Sequence, residues 1–205
     1  MTASPATESA SRPKWAHGER RDAIIEAAIR VVARDGLRRL TYRSLAEEAG
    51  VAHGLVRHHF GSLDALIEEA LRVCTARTAE TLSLNPASGN PDDFARGIVE
   101  TLQRDPETQL YQYEVLMESR RTESLREAVD VMMTHYRSVC RDGLERMGLN
   151  PDSELVEFVY ATVEGVVLQQ SVRGFTQQTG EAIAVLRRVL TLLKCEQTKA
   201  SSSTS

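Results

Sequence analysis

Between Thr41 and Leu66 the chain reads TYRSLAEEAGVAHGLVRHHFGSLDAL, two short stretches of helical period separated by a glycine-containing corner. In the first, Leu45, Ala46 and Ala49 fall at i, i+1 and i+4; in the second, Leu55, Val56, His59 and Phe60 repeat those offsets. Each helix therefore has one inward face. Gly50 supplies the positive φ that ends the first helix, and Val51 follows as an apolar plug beneath the corner. The spacing predicts a helix-turn-helix, although an ordinary pair of core helices would share it. The outer surface of the second helix keeps His53, Gly54, Arg57 and His58, able to approach or donate to base edges and phosphates.

The flanking segments support this unit. A first helix is expected from about Gly18 to Arg34, with Ile24, Ile25, Ala28, Val31 and Val32 inward and Asp35-Gly36 as its stop. Thr41 caps the next helix at a place suited to a phosphate, and Arg43 reaches the same backbone. Ser62 caps a fourth helix whose stripe of Leu66, Ile67, Ala70, Leu71 and Cys74 runs on to about Leu82.

Beyond the break NPASGNP, Asn85 to Pro91, every start signal is helical. Asn90-Pro91-Asp92, Asp105-Pro106-Glu107 and Asn150-Pro151-Asp152 each offer a cap, then proline at the first helical position, then acid near the positive helix end. With no alternating strand pattern, the expected fold is all-α with about nine helices. Spans are expected near 91–104, 106–119, 122–147, 151–173 and 179–195. Residues 1–14 and 196–205 are expected to be disordered tails, 15–62 a DNA-binding domain, and 63–195 a second helical domain. Arg12, Lys14 and Trp15 would form a basic arm or a solvated tail.

A net charge of −4 by itself opposes nucleic-acid binding, so its distribution matters. Residues 12–77 hold 12 basic and 9 acidic side chains, a balance of +3, while residues 78–205 hold 13 against 19, a balance of −6. The front third alone carries the positive patch that DNA association needs. Three widely separated cysteines, Cys74, Cys140 and Cys195, without a C-x-x-C pair, suggest a reducing compartment with neither a disulfide framework nor zinc. No run approaches the roughly 20 apolar residues of a membrane span, and the amino terminus lacks an apolar signal core. A cytoplasmic protein with no membrane partner is expected.

Catalytic constellations are missing: there is no G-x-S-x-G, glycine-rich phosphate loop or H-E-x-x-H. His53, His58 and His59 lack the i, i+4 spacing that would bring two imidazoles to one metal. The chain is read as neither an enzyme nor a carrier of metal or cofactor.

The order R-x-x-I-I-x-A-A, T-x-x-x-L-A-x-x-A-G-V and H-F-x-S-x-x-x-L resembles the amino-terminal signature of the TetR family of transcriptional regulators. It is carried by Arg21, Ile24, Ile25, Ala27 and Ala28, then Thr41, Leu45, Ala46, Ala49, Gly50 and Val51, then His59, Phe60, Ser62 and Leu66. The resemblance covers roughly residues 18–70 and adds Ala52 and His59 to the residues expected at DNA. Three positions depart from it: Ala52 stands for Ser or Thr, Arg57 for Tyr, and Leu63 for Lys. The last two replace residues that commonly touch phosphate in the family, which leaves open a helical interaction protein with weak or lost DNA binding.

The resemblance implies a homodimer on double-stranded DNA, probing a partial palindrome with two recognition helices about 34 Å apart. It also implies repression relieved by a small-molecule effector. Leu155, Phe158, Val159, Thr162, Val163, Val166 and Val167 form a broad apolar face, and Ile183, Leu186, Val189 and Leu190 a second stripe. These are expected to build an intersubunit four-helix bundle. An effector cavity is expected among Tyr113, Met117, Met132, Met133, Tyr136 and Gln169, though a Met and Tyr stripe also suits ordinary core. Glu164, Glu114, Glu118 or His135, if buried there, would select a cationic or hydrogen-bonding effector.

Overall fold

In the computed structural model, which describes residues 18–174 and 176–202, nine α-helices and three short 3-10 turns succeed one another, with no strand among the described residues. The expected tail at 1–14 and the segment Arg12 to Trp15 lie outside the described residues.

Local chemistry sets most helix ends. The first helix, α1 (Glu19–Asp35), stops at Gly36, whose φ is 83° and whose N–H donates to the Val32 carbonyl. The second, α2 (Tyr42–Ala49), begins in a reciprocal cap: Thr41 Oγ1 accepts from the Ser44 N–H at 3.0 Å, and Ser44 Oγ accepts from the Thr41 N–H at 2.9 Å. After α3 (His53–Phe60), Ser62 caps α4 (Leu63–Thr81) by accepting from the Ala65 N–H at 3.1 Å. The remaining helices are α5 (Ile98–Arg104), α6 (Pro106–Ser119), α7 (Arg126–Arg146), α8 (Ser153–Arg173) and α9 (Thr176–Ser202). Asp105 and Asp152 cap α6 and α8 through their carboxylates.

Three spans differ from expectation. The helix expected over 91–104 is broken: a 3-10 turn at Pro91–Asp93 is followed by Phe94, Ala95 at φ 51° and Gly97 at φ 71° before α5 begins. The cause is tertiary, because Phe94 is fully buried and its carbonyl accepts from Arg187 Nε at 2.8 Å. A short 3-10 turn at Glu123–Leu125 precedes α7. The disordered tail expected from 196 is corrected, since 196–202 continue α9.

One continuous core joins the front helices to the rest. The long α4 runs from the three-helix head into the body, packing on α1 as well as α6 and α7, while α8 lies between α7 and α9. Tyr111 of α6 is fully buried and donates to the Ile67 carbonyl of α4 at 2.9 Å. Gly143 of α7 passes so close to the chain after α4 that a Cβ there would lie 2.1 Å from the Leu84 carbonyl oxygen.

The expected dimer surface is corrected in its residues. Val159, Val163, Val166, Val167, Ile183, Leu186 and Leu190 are at most 8% exposed within one subunit, where α8 and α9 pack on each other and on the body. Leu155, Thr162 and Val189 are half-buried. Of the expected set, Phe158 stands out in solvent, and it shares its side of α8 with Leu168 and Val172; on α9 the large apolar side chains of Val185 and Leu192 are exposed.

Candidate nucleic-acid interface and interior chamber

The corner between α2 and α3 is closed by backbone. Gly50 sits at φ 65°, ψ 30°, and the Val51 N–H returns to the Ala46 carbonyl at 3.0 Å. Val51 is half-buried, and Val56 is the fully buried anchor of α3. Tyr42 braces α3 from below: its ring lies 6.3 Å from that of His53, and its hydroxyl donates to the Gly61 carbonyl at 3.4 Å. At the far end, the Arg21 guanidinium lies 5.1 Å over the Phe60 ring and pairs with Glu69 at 2.8 Å. Hydrogen bonding from Arg72, then from Arg21, holds the Glu69 carboxyl down at about 2.

The anchored helix turns its opposite side to solvent. Thr41, Arg43, Ala52, His53, Gly54, Arg57, His58 and His59 are all exposed. His59 was expected to share the inward face; an eight-residue helix seated through Val56 leaves its ring outside instead. Partial desolvation, followed by the nearby charges of His58, Arg21 and Arg20, lowers the His59 pKa. Ala52 lacks a side-chain oxygen, so α3 starts without the cap that α2 and α4 possess.

The acids of this surface are already engaged. Glu48 receives Arg30 at 2.8 Å and Arg34 at 3.1 Å, and these hydrogen bonds lower its pKa. Glu47 pairs with Arg43 at 2.9 Å along the exposed side of α2. Arg38, Arg39 and Arg57 are exposed and make no ion pair among the described residues. Sequence reasoning missed Arg38, Arg39 and Tyr42. The first two were legible as a basic doublet just before the Thr41 cap, and the Arg39 carbonyl indeed accepts from Ser44 Oγ at 3.0 Å.

In the body, α6, α7 and α8 border a small chamber of about 20 Å³, lined by Gln112, Tyr113, Met132, Tyr136, Tyr160 and Glu164 among others. Tyr113, Met132 and Tyr136, three of the residues expected around an effector, border this chamber. Met117 is 53% exposed and Gln169 is also exposed, so both are corrected outward; neighbouring Leu116 reaches the chamber and Gln170 the core. Met133 is half-buried and packs against the core without bordering the chamber. Of the other polar candidates, Glu114 and His135 are exposed and Glu118 half-buried.

A hydrogen-bond chain crosses the chamber wall: Tyr136 donates to Gln112 Oε1, and Gln112 Nε2 donates to Thr78 Oγ1 at 3.0 Å. Burial pushes the Glu164 carboxyl above the usual carboxylate range, against opposing hydrogen bonds from Tyr113 and Tyr160 and the charge of Arg137. A separate groove of about 480 Å³ opens between α4 and α7. Among the described residues no cluster of His, Cys, Asp and Glu could hold a metal ion, and no helix is long and apolar enough to cross a membrane.

A braced helix-turn-helix with an open donor face, built onto a helical body, defines a DNA-binding transcriptional regulator. Two family models cover most of the chain: "Bacterial regulatory proteins, tetR family" matches residues 24–70, and "Tetracyclin repressor-like, C-terminal domain" matches 89–192. The chain belongs to the TetR family. It is 28% identical over 160 residues to the HTH-type transcriptional regulator BetI of Agrobacterium fabrum, covering 75% of this chain and 78% of that one. A shorter match, 40% over 53 residues and 26% of each chain, is to the HTH-type transcriptional repressor KstR2 of Mycolicibacterium smegmatis. Among solved structures, a TetR-family member from Streptomyces coelicolor A3 superposes with a TM-score of 0.67 at 28% identity, covering 85% of this chain and 98% of that one. The multidrug binding protein EbrR complexed with imidazole gives 0.64 at 29% identity, covering 86% and 90%.

Proposed function

We propose that the protein is a cytoplasmic repressor that binds a palindromic operator as a homodimer and leaves it when a small molecule enters the helical body. The observation that carries the DNA half is the division of α3: Val56 is sealed inside while His53, Gly54, Arg57 and His58 face solvent. Arg57 is the residue assigned to base reading and Arg38, Arg39 and the α2 amino terminus to phosphates.

The dimer is assigned to the outward stripe of α8 and α9. Phe158, Leu168 and Val172 on α8 and Val185 and Leu192 on α9 are 39–64% exposed, and a contiguous apolar stripe on adjoining helices is the kind of surface that a partner covers. Ala161 and Gly165 lie in the same heptad stripe of α8, and small residues there suit close helix approach. The likeness to EbrR, described as a multidrug binding protein and seen with imidazole, favours a small organic effector in the body.

Selection of bound fragments from random duplex DNA, followed by mobility shift, tests this reading. The expected product is a partial palindrome with half-sites about one helical turn or a multiple apart. On that product Arg57→Ala loses about 1–3 kcal/mol, with relaxed preference at one base pair. Absence of any enriched sequence at low salt would overturn it.

A further inference from the structure

Helix α3 carries three imidazoles and no carboxylate. Two of them are neighbours in space as well as in sequence: His58 and His59 stand edge to face with ring centroids 5.5 Å apart. The His59 ring lies 6.3 Å from that of Phe60, over which the Arg21 guanidinium of α1 is seated. A fixed positive charge is thereby held at the end of α3 where the two imidazoles sit. Both rings are exposed, so each exchanges protons freely with solvent.

The surroundings hold the pair uncharged. Desolvation, then the charges of His58, Arg21 and Arg20, lower the His59 pKa, and the first-turn acids of α1, Glu19 and Asp22, are not among the groups acting on it. Acids on the adjoining helices are engaged elsewhere. On α2, Glu47 pairs with Arg43, and Glu48 with Arg30 and Arg34. On α4, Asp64 accepts from Ser124 Oγ at 3.1 Å, Glu68 lines the α4–α7 groove, and Glu69 holds Arg21 and Arg72. An opposite charge within a few ångströms favours the ionised form of an imidazole, and a phosphate strand closing on this face would be that charge. Two imidazolium ions at this separation would repel, so the pair accepts one proton and not two.

On the reading that α3 enters a duplex groove, we propose that His58 and His59 form a proton-gated DNA contact, taking up one proton from solvent as the helix docks and giving the resulting imidazolium to a backbone phosphate. The proton adds to the free ring nitrogen of one imidazole, which gains one positive charge and donates a charge-assisted hydrogen bond to a phosphate oxygen. Its neighbour stays neutral. Arg57 keeps its charge throughout, so the same helix makes one contact that ignores acidity and one that follows it.

The probe is a duplex enriched by the full chain from random sequence, titrated by fluorescence anisotropy at fixed ionic strength between about pH 6 and about pH 8. Affinity is expected to be at least about fivefold higher at the acid end. The slope of log affinity against log salt should be steeper there by up to about 0.9 per subunit, as one more neutralised phosphate requires. Calorimetric titration near pH 7 in phosphate and in Tris, buffers of very different ionisation heat, should report net proton uptake on binding. The double variant His58→Gln, His59→Gln, at two exposed positions, should lose most of the pH dependence and of the uptake, whereas His135→Gln on α7 should retain both. A wild-type affinity that is flat with pH, or a double variant that follows pH as the wild type does, overturns the proposal. Failure to enrich any duplex across this pH range would sink the placing of α3 on DNA, whereas firm binding without proton uptake sinks this inference alone.

Discussion

Thr78 Oγ1 accepts a 2.7 Å hydrogen bond from Gln109 Nε2, joining α4 to α6 inside the body. Gln112 donates to the same oxygen. Thr78→Val keeps the volume and removes the acceptor, leaving two buried amides short of a partner. The expected loss is about 1–3 kcal/mol in urea unfolding, largely restored by Thr78→Ser. A Val variant as stable as wild type would show that water replaces the tie.

On the exposed side of α2, Glu47 occupies Arg43. Glu47→Gln releases that guanidinium toward the DNA backbone. Operator affinity should rise severalfold, and the slope of log affinity against log salt should steepen by up to about 0.9 per subunit. An unchanged slope would place Arg43 away from phosphate.

Close packing at Gly143 admits no side chain, because a Cβ would press on the Leu84 carbonyl. Gly143→Ala should therefore destabilise by about 3 kcal/mol, despite the better helix propensity of alanine. A melting temperature at or above wild type would refute the close approach of α7 to the segment after α4.

Glu164 yields a pH prediction of definite sign. Its raised pKa means that folding favours the neutral carboxyl, so stability is fully present below the unfolded value and falls as pH rises through the folded one. The groups facing it are Tyr113, Tyr136, Tyr160 and Arg137. Glu164→Gln should melt higher than wild type at about pH 8, with the gap closed by about pH 4. A gap that widens toward low pH would contradict this assignment.

Elements whose limits are set by neighbouring residues were legible: the Thr41, Ser62 and Asp105 caps and the Gly50 corner all act within a few residues, whereas Asn150 was expected to cap the eighth helix and Asp152, two residues on, caps it instead. The break after Asp93 was not, because burial of Phe94 and its bond from Arg187 join positions 93 apart. The DNA-facing set was readable because α3 has a clear inside anchored at Val56. Phase was the difficulty in α6 and α8, which carry apolar or aromatic residues around much of their circumference. Choosing Met117 over Leu116, or Gln169 over Gln170, is an error of one residue, which turns a side chain by about 100°. The same ambiguity assigned Val159 and Val163 to a partner when the subunit's own core uses them.

Helix α6 meets the chamber through Gln112 and the head through Glu114, whose carboxylate accepts the Leu37 N–H at 3.4 Å. Two residues of α-helix rise by only about 3 Å. On the proposed reading, sensor and actuator are neighbours on one rigid rod, and the signal has almost no distance to travel. Variants deaf to the inducer yet intact in both binding events should consequently be scarce, and those that arise should map to the short seam where this rod touches Gly36 and Leu37.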